Sequence, residues 1–108
     1  MTKTAKLAEY VVFIPLCYND GRKIEEEKIA KILDKIAMRF GAFTRTTSNE
    51  GLWIYKSKKY SDSIDKIEII THDSEDNDRW FNELKSELKK KLRQKEIFIK
   101  KTSEVTIL

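Results

Sequence analysis

A sequence with one cysteine, one histidine, one proline and three glycines has few ways of doing chemistry by motif. Cys17 has no second cysteine to pair with, and at the end of an apolar run a thiol behaves as a small hydrophobe, so it reads as structural. A structural zinc site needs several soft ligands converging, and His72 and Cys17 fall in different strands, so no metal site is expected. Gly21, Gly41 and Gly51 each fall at a turn or a cap. Neither a Gly-x-Gly-x-x-Gly fingerprint nor a Walker-type loop can be assembled from them, and no cofactor is expected. There is no Gly-x-Ser-x-Gly elbow for a serine nucleophile. No apolar run follows Met1–Lys6 as in a signal peptide, and no window approaches the roughly 18 apolar residues of a membrane span. A cytoplasmic protein without a membrane partner is the expectation.

Charge is abundant instead. Charged residues make up 37% of the 108 and hydrophobic ones 40%, which is enough apolar material for a core under a densely ionic surface. The length fits a single domain over residues 1–108, with residues 1–8 expected to be flexible. The net charge of +4 is concentrated late in the chain. Lys85, Lys89, Lys90, Lys91, Arg93, Lys95, Lys100 and Lys101 face only Glu87 and Glu96 over that stretch. Such an imbalance attracts anions, although cations near a helix C-terminus also complement its dipole.

Hydrophobic periodicity orders the elements. Glu9–Leu16 is β-branched and aromatic with little alternation, as in a central strand covered on both faces, and Pro15 should end it. Asn19-Asp20-Gly21 is turn chemistry. Ile29, Ile32, Leu33, Ile36 and Phe40 recur at helical spacing, with Glu25–Glu27 in the first turn and Gly41 just past the end. Residues 42–47 and 52–55 read as two short strands around a Ser48–Gly51 hairpin loop, the first polar enough for a sheet edge. Lys56–Lys59 is a second turn, and Ile64–Thr71 a further strand with Ile67 and Ile69 on one face. Ser74 caps a second helix carrying Phe81, Leu84, Leu88 and Leu92 to about Arg93. Glu96–Ile99 is the following strand, extended or re-paired by Ser103–Leu108.

This β-α-β-β-β-α-β order predicts a ferredoxin-like α+β sandwich, with two helices on one face of a mainly antiparallel sheet of four to five strands. The opposite face is then uncovered. Tyr10, Val12, Ile14, Trp53 or Tyr55, Ile70 and Phe98 are candidates to lie there, and burying them calls for a partner, most simply a second copy in a homodimer.

Phe13-Ile14-Pro15-Leu16, Asn19-Asp20-Gly21, Arg39-Phe40-Gly41-Ala42-Phe43-Thr44, Gly51-Leu52-Trp53 and Glu96-Ile97-Phe98-Ile99 together resemble a group of small uncharacterised prokaryotic proteins. The resemblance implies a ferredoxin-like domain over nearly the whole chain. It carries no activity onto numbered residues.

Three functions fit this reading. The preferred one is a non-enzymatic self-associating binding or regulatory module that uses the uncovered face. The alternative is a single-stranded nucleic-acid (RNA) binder. It would use Lys85, Lys89 and Arg93 at four-residue spacing beside Trp53, Tyr55 and Tyr60 on a hairpin bearing Lys56, Lys58 and Lys59, since aromatic platforms among cations hold single strands. The third is a small nuclease or other dimer-cleft enzyme with Asp20 or His72 at work. For Asp20 a turn role, and for His72 an exposed strand end, are the simpler readings.

Overall fold

The computed structural model describes residues 6–55 and 58–108, with side chains described for 6–47 and 63–108. Its elements follow in the order β1 (Leu7–Pro15), α1 (Glu26–Phe40), β2 (Thr44–Tyr55), β3 (Lys58–His72), α2 (Glu75–Lys91) and β4 (Ile99–Val105). The sheet order is β2-β3-β1-β4, and every neighbouring pair is antiparallel. Two helices lie on one face of this sheet, the ferredoxin-like α+β arrangement. Leu7 and Ala8 belong to β1, and Ala8 is fully buried, so the flexible start expected through residue 8 does not extend that far; residues 1–5 lie outside the described residues.

The helices end where their sequence says they should. Gly41 takes the left-handed conformation at φ 82°, and its N–H donates to the carbonyl of Ala37, closing α1. The Ser74 hydroxyl accepts the N–H of Asn77 at 3.1 Å, which satisfies one of the free donors at the start of α2. Ile29, Ile32, Leu33 and Ile36 of α1 and Phe81, Leu84 and Leu88 of α2 pack onto Ala8, Tyr10, Val12, Ile14, Ile67 and Ile69 of the sheet. Tyr10, Val12 and Ile14 therefore face the helices. That corrects their assignment to the uncovered face, which instead takes the alternate residues of β1. Ile70 and Phe98 do remain on the outside, 46% and 69% exposed. The side chains of Trp53 and Tyr55 lie outside the described residues.

The expected five-strand order also changes. Ser48–Gly51 is no hairpin loop: three steps along β2 (Ser48 to Gly51) oppose two along β3 (Ile64 to Asp62), so the extra residue makes a bulge within one strand. Two runs thus merge into β2, and the order becomes β-α-β-β-α-β. The ladder of β2 and β3 continues to Tyr55↔Lys58, while β1 stops pairing at Pro15↔Ile64. A two-stranded arm consequently extends past the four-stranded body.

Among the described residues, one charged side chain sits inside this architecture. Asp65 of β3 is fully buried on the helix side. Its Oδ2 accepts from Arg45 Nε at 2.7 Å, and its Oδ1 from Thr47 Oγ1 at 2.7 Å. Both partners stand on β2 beside the bulge, so the buried carboxylate pins the edge strand in register at the root of the arm. Removing it leaves a half-exposed guanidinium and a hydroxyl without their acceptor. Asp65→Ala is expected to destabilise the fold by about 2–3 kcal/mol, whereas Asp20→Ala, on an exposed turn, should leave stability little changed. Urea unfolding of the two variants measures both, and equal effects would show that the buried acceptor has no special structural role.

Candidate functional site

Alternation along the strands sorts every described residue of the sheet onto one side or the other. On the side away from the helices β1 presents Leu7, Glu9, Val11, Phe13 and Pro15, and β3 presents Ile64, Lys66, Glu68, Ile70 and His72. Register makes rows of them. Thr44, Glu68, Val11 and Lys100 run across the sheet in one row, and Thr46, Lys66 and Phe13 in the next. Phe98 adjoins that second row, its carbonyl accepting the N–H of Phe13 at 3.1 Å. The face is therefore mixed: an apolar floor with Glu9, Lys66, Glu68 and Lys100 standing among it. Lys66 Nζ lies 3.9 Å from Glu68 Oε1.

Two polar clusters lie elsewhere. At the N-terminal end of β1 the Tyr10 hydroxyl donates to Asp78 at 2.6 Å, and Lys101 Nζ donates to Asp73 at 2.7 Å and contacts Asp78 at 2.8 Å while lying over the Tyr10 ring. Burial, then the bond to Asp78, pushes the Tyr10 phenol up to about 12. The Lys101 ammonium holds the carboxyls of Asp73 and Asp78 below the usual range. At the other end of β1 the Tyr18 hydroxyl donates to Glu25 and accepts from Lys28 Nζ at 2.7 Å, with Arg22, Lys28 and Arg93 around its ring. The bond from Tyr18 brings the Glu25 carboxyl down to about 2. Both clusters close on their own partners and brace loops. Two shallow grooves run along the outer surfaces of the helices, one lined by α2 residues such as Glu75, Arg79 and Glu83, the other by Lys35, Met38, Arg39 and Trp80.

Of the residues singled out from sequence, Asp20 and His72 are not brought together within one chain. Asp20 accepts from the N–H of Arg22 at 3.0 Å and from its Nε at 2.7 Å, which closes the exposed turn, and these bonds hold its carboxyl below the usual range. His72 pairs with Leu7 at the opposite end of β1. Eight strand steps at about 3.3 Å each separate the two ends by about 26 Å, so a cleft using both is not formed within one chain. Lys85 pairs with Glu96 at 3.2 Å, and Arg93 lies over the Tyr18 ring, so two of the three cations of the supposed basic rim are already engaged. The side chains of Trp53, Tyr55, Lys56, Lys58, Lys59 and Tyr60 lie outside the described residues. Among the described residues no three His, Cys, Asp or Glu side chains come together to hold a metal ion, and no helix is long and apolar enough to cross a membrane. Reading the sequence alone missed Lys66 and Glu68, whose only signal was polar alternation between Ile64, Ile67, Ile69 and Ile70.

No family model and no curated protein matches the sequence. Among solved structures, the fold is similar to a phage SAM lyase in complex with S-methyl-5′-thioadenosine. The match has a TM-score of 0.69 at 15% identity and covers 96% of this chain and 85% of that one. This overturns the expectation of a non-enzymatic module: the architecture from which that role was inferred is one that an enzyme uses over nearly the whole length of the chain.

The cluster around Tyr10 sets the pH limits of stability. Asp73 and Asp78 have lowered folded values, so their contribution is present above the unfolded carboxyl range and is lost as pH falls through the folded values, below about pH 4. Tyr10 is raised, so its contribution is whole below about pH 10 and is lost as pH climbs towards its folded value of about 12. Lys101→Met should flatten the acid limb and Tyr10→Phe the alkaline limb of a thermal-melt pH series. A profile unchanged by either substitution would contradict the assignment.

Proposed function

We propose that this chain is an enzyme that cleaves S-adenosylmethionine (SAM) at the bond between the sulfonium sulfur and Cγ of the methionine portion, releasing S-methyl-5′-thioadenosine. The observation that carries the reading is the match over nearly the full chain to a SAM lyase holding that thioether. The chemistry suits the uncovered face. The substrate's own carboxylate oxygen attacks Cγ, a C–O bond forms as the C–S bond breaks, and the bonding pair stays on sulfur. The products are the neutral thioether and homoserine lactone, with no water, oxidant or external nucleophile consumed.

Such a reaction neutralises a negative and a positive charge as it proceeds. Water stabilises the separated charges more than the transition state, so a dry, apolar surround favours reaction and orientation supplies much of the rest. Glu68 gives the substrate's α-ammonium, which keeps its charge throughout, a counter-charge that orients it, Phe13 and Phe98 offer ring faces to a sulfonium, and Val11 supplies an apolar floor. No serine elbow or histidine base is required, so the chain's poverty in such residues does not count against the reading.

A sheet face alone is flat, and a small-molecule site must enclose most of its ligand. We infer that a second copy of the chain closes over this face, because Ile70 and Phe98 stand exposed on it and two-fold association is the commonest arrangement. Purified protein incubated with SAM should release S-methyl-5′-thioadenosine and homoserine lactone, resolved by liquid chromatography, and Glu68→Ala should slow that release by about 100-fold or more. Intact SAM after prolonged incubation at high enzyme concentration would refute the activity. Light scattering should show an oligomer that Phe98→Glu dissociates with loss of turnover; a fully active monomer would refute the shared site.

A further inference from the structure

Lys66 and Glu68 form the loosest of the ion pairs among the described residues, at 3.9 Å against 2.5 Å for Lys35 with Glu87 and 2.7 Å for Lys101 with Asp73. Their side chains are 43% and 33% exposed, and neither has another ionic or hydrogen-bonding partner among the described residues. Spacing of two along β3 places both on the uncovered face. Lys66 stands between Phe13 and Thr46, and Glu68 between Val11 and Thr44. A half-exposed pair at that distance contributes little to folding, so a ligand can take its place at small cost. On a face that also carries Glu9 and Lys100, β3 thus presents one positive and one negative group at successive same-side positions of a single strand.

An α-amino acid carries the complementary charges on a single carbon. We propose that Lys66 and Glu68 together read the amino-acid end of the substrate, Lys66 taking the α-carboxylate and Glu68 the cationic groups, so that the site recognises sulfonium or thioether nucleosides bearing an α-amino acid in preference to those without one. This rests on the reading of the chain as a SAM-cleaving enzyme and adds the specificity of that site. Lys66 holds one oxygen of the carboxylate and leaves the other free to approach Cγ; the product thioether, which has lost the amino-acid portion, loses both contacts and is released. Arg at this position preserves the charge, whereas Gln removes it at nearly constant length.

The test uses two stable probes that differ only at that end: S-adenosylhomocysteine, which keeps the amino acid, and S-methyl-5′-thioadenosine, which lacks it. Calorimetric titration of the wild-type protein should show the first binding at least about 10-fold more tightly, the scale of losing one charged hydrogen bond. Lys66→Gln should abolish most of that preference by weakening S-adenosylhomocysteine alone, with S-methyl-5′-thioadenosine unchanged within about twofold, and Lys66→Arg should restore it. Equal weakening of both probes by Lys66→Gln, or none of either, would overturn the assignment, and thermal melts matching the wild type would exclude a folding explanation. Wild-type protein that binds both probes equally defeats this inference and leaves the SAM-cleaving reading standing. Protein that binds neither defeats both.

Discussion

Two helices can cover one side of a four-stranded sheet and no more, and that geometric limit governs this molecule. The helices take Tyr10, Val12, Ile14, Ile67 and Ile69 as their floor, and Leu84 and Leu88 seal against it with little or no exposure. Every residue spent there is unavailable for recognition. What remains is the alternate set, which lies outside the helix-covered core and, Val11 apart, is at least partly exposed: Glu9, Val11, Phe13, Lys66, Glu68 and Ile70. The same pleat that builds the core thus delivers a second surface whose composition is free to serve something else.

Much of this was legible in the residues. The helices announced themselves through their apolar spacing and through Ser74 and Gly41 at their ends, and the polarity of Thr44–Thr47 identified an edge strand. Two features were not legible, for physical reasons. Ser48-Asn49-Glu50-Gly51 contains residues that suit a turn and a bulge equally, and only the continued pairing of β2 with β3 beyond it decides for the bulge. In β1 both faces are apolar, Val11 being nearly as buried as Val12, so composition could not say which set meets the helices. Register against β3 says it.

The candidate site was less legible than the fold. Asp65 lies near the start of the expected Ile64–Thr71 strand, where nothing in the sequence marks a carboxylate as buried, yet it is a buried acceptor, because Arg45 and Thr47 reach it across the sheet. Lys66 and Glu68 looked like an ordinary solvent-facing alternation. The conspicuous candidates fared differently: Asp20 closes its own turn, His72 stands at the far end of the sheet, and Lys85 is matched by Glu96. Residues that look reactive in one dimension were absorbed by local structure. The pair left on the uncovered face was inconspicuous because its meaning depends on neighbours in other strands.

Strength of pairing separates the structural charges from the others. Where Asp65, Asp78 and Glu25 serve the fold, each accepts short bonds from partners that are themselves packed or bonded, and removal leaves those partners stranded. Lys66 and Glu68 hold each other at the limit of contact and hold nothing else among the described residues. Charges on an apolar floor with so little to satisfy them contribute almost nothing to stability, and they are also the groups with most to gain when a zwitterionic ligand arrives and water leaves. In the proposed site the electrostatic looseness of that pair and the closure of its face by a second copy depend on each other: loosely held charges bind weakly while water surrounds them, and a closed apolar face without them has nothing to orient a zwitterion.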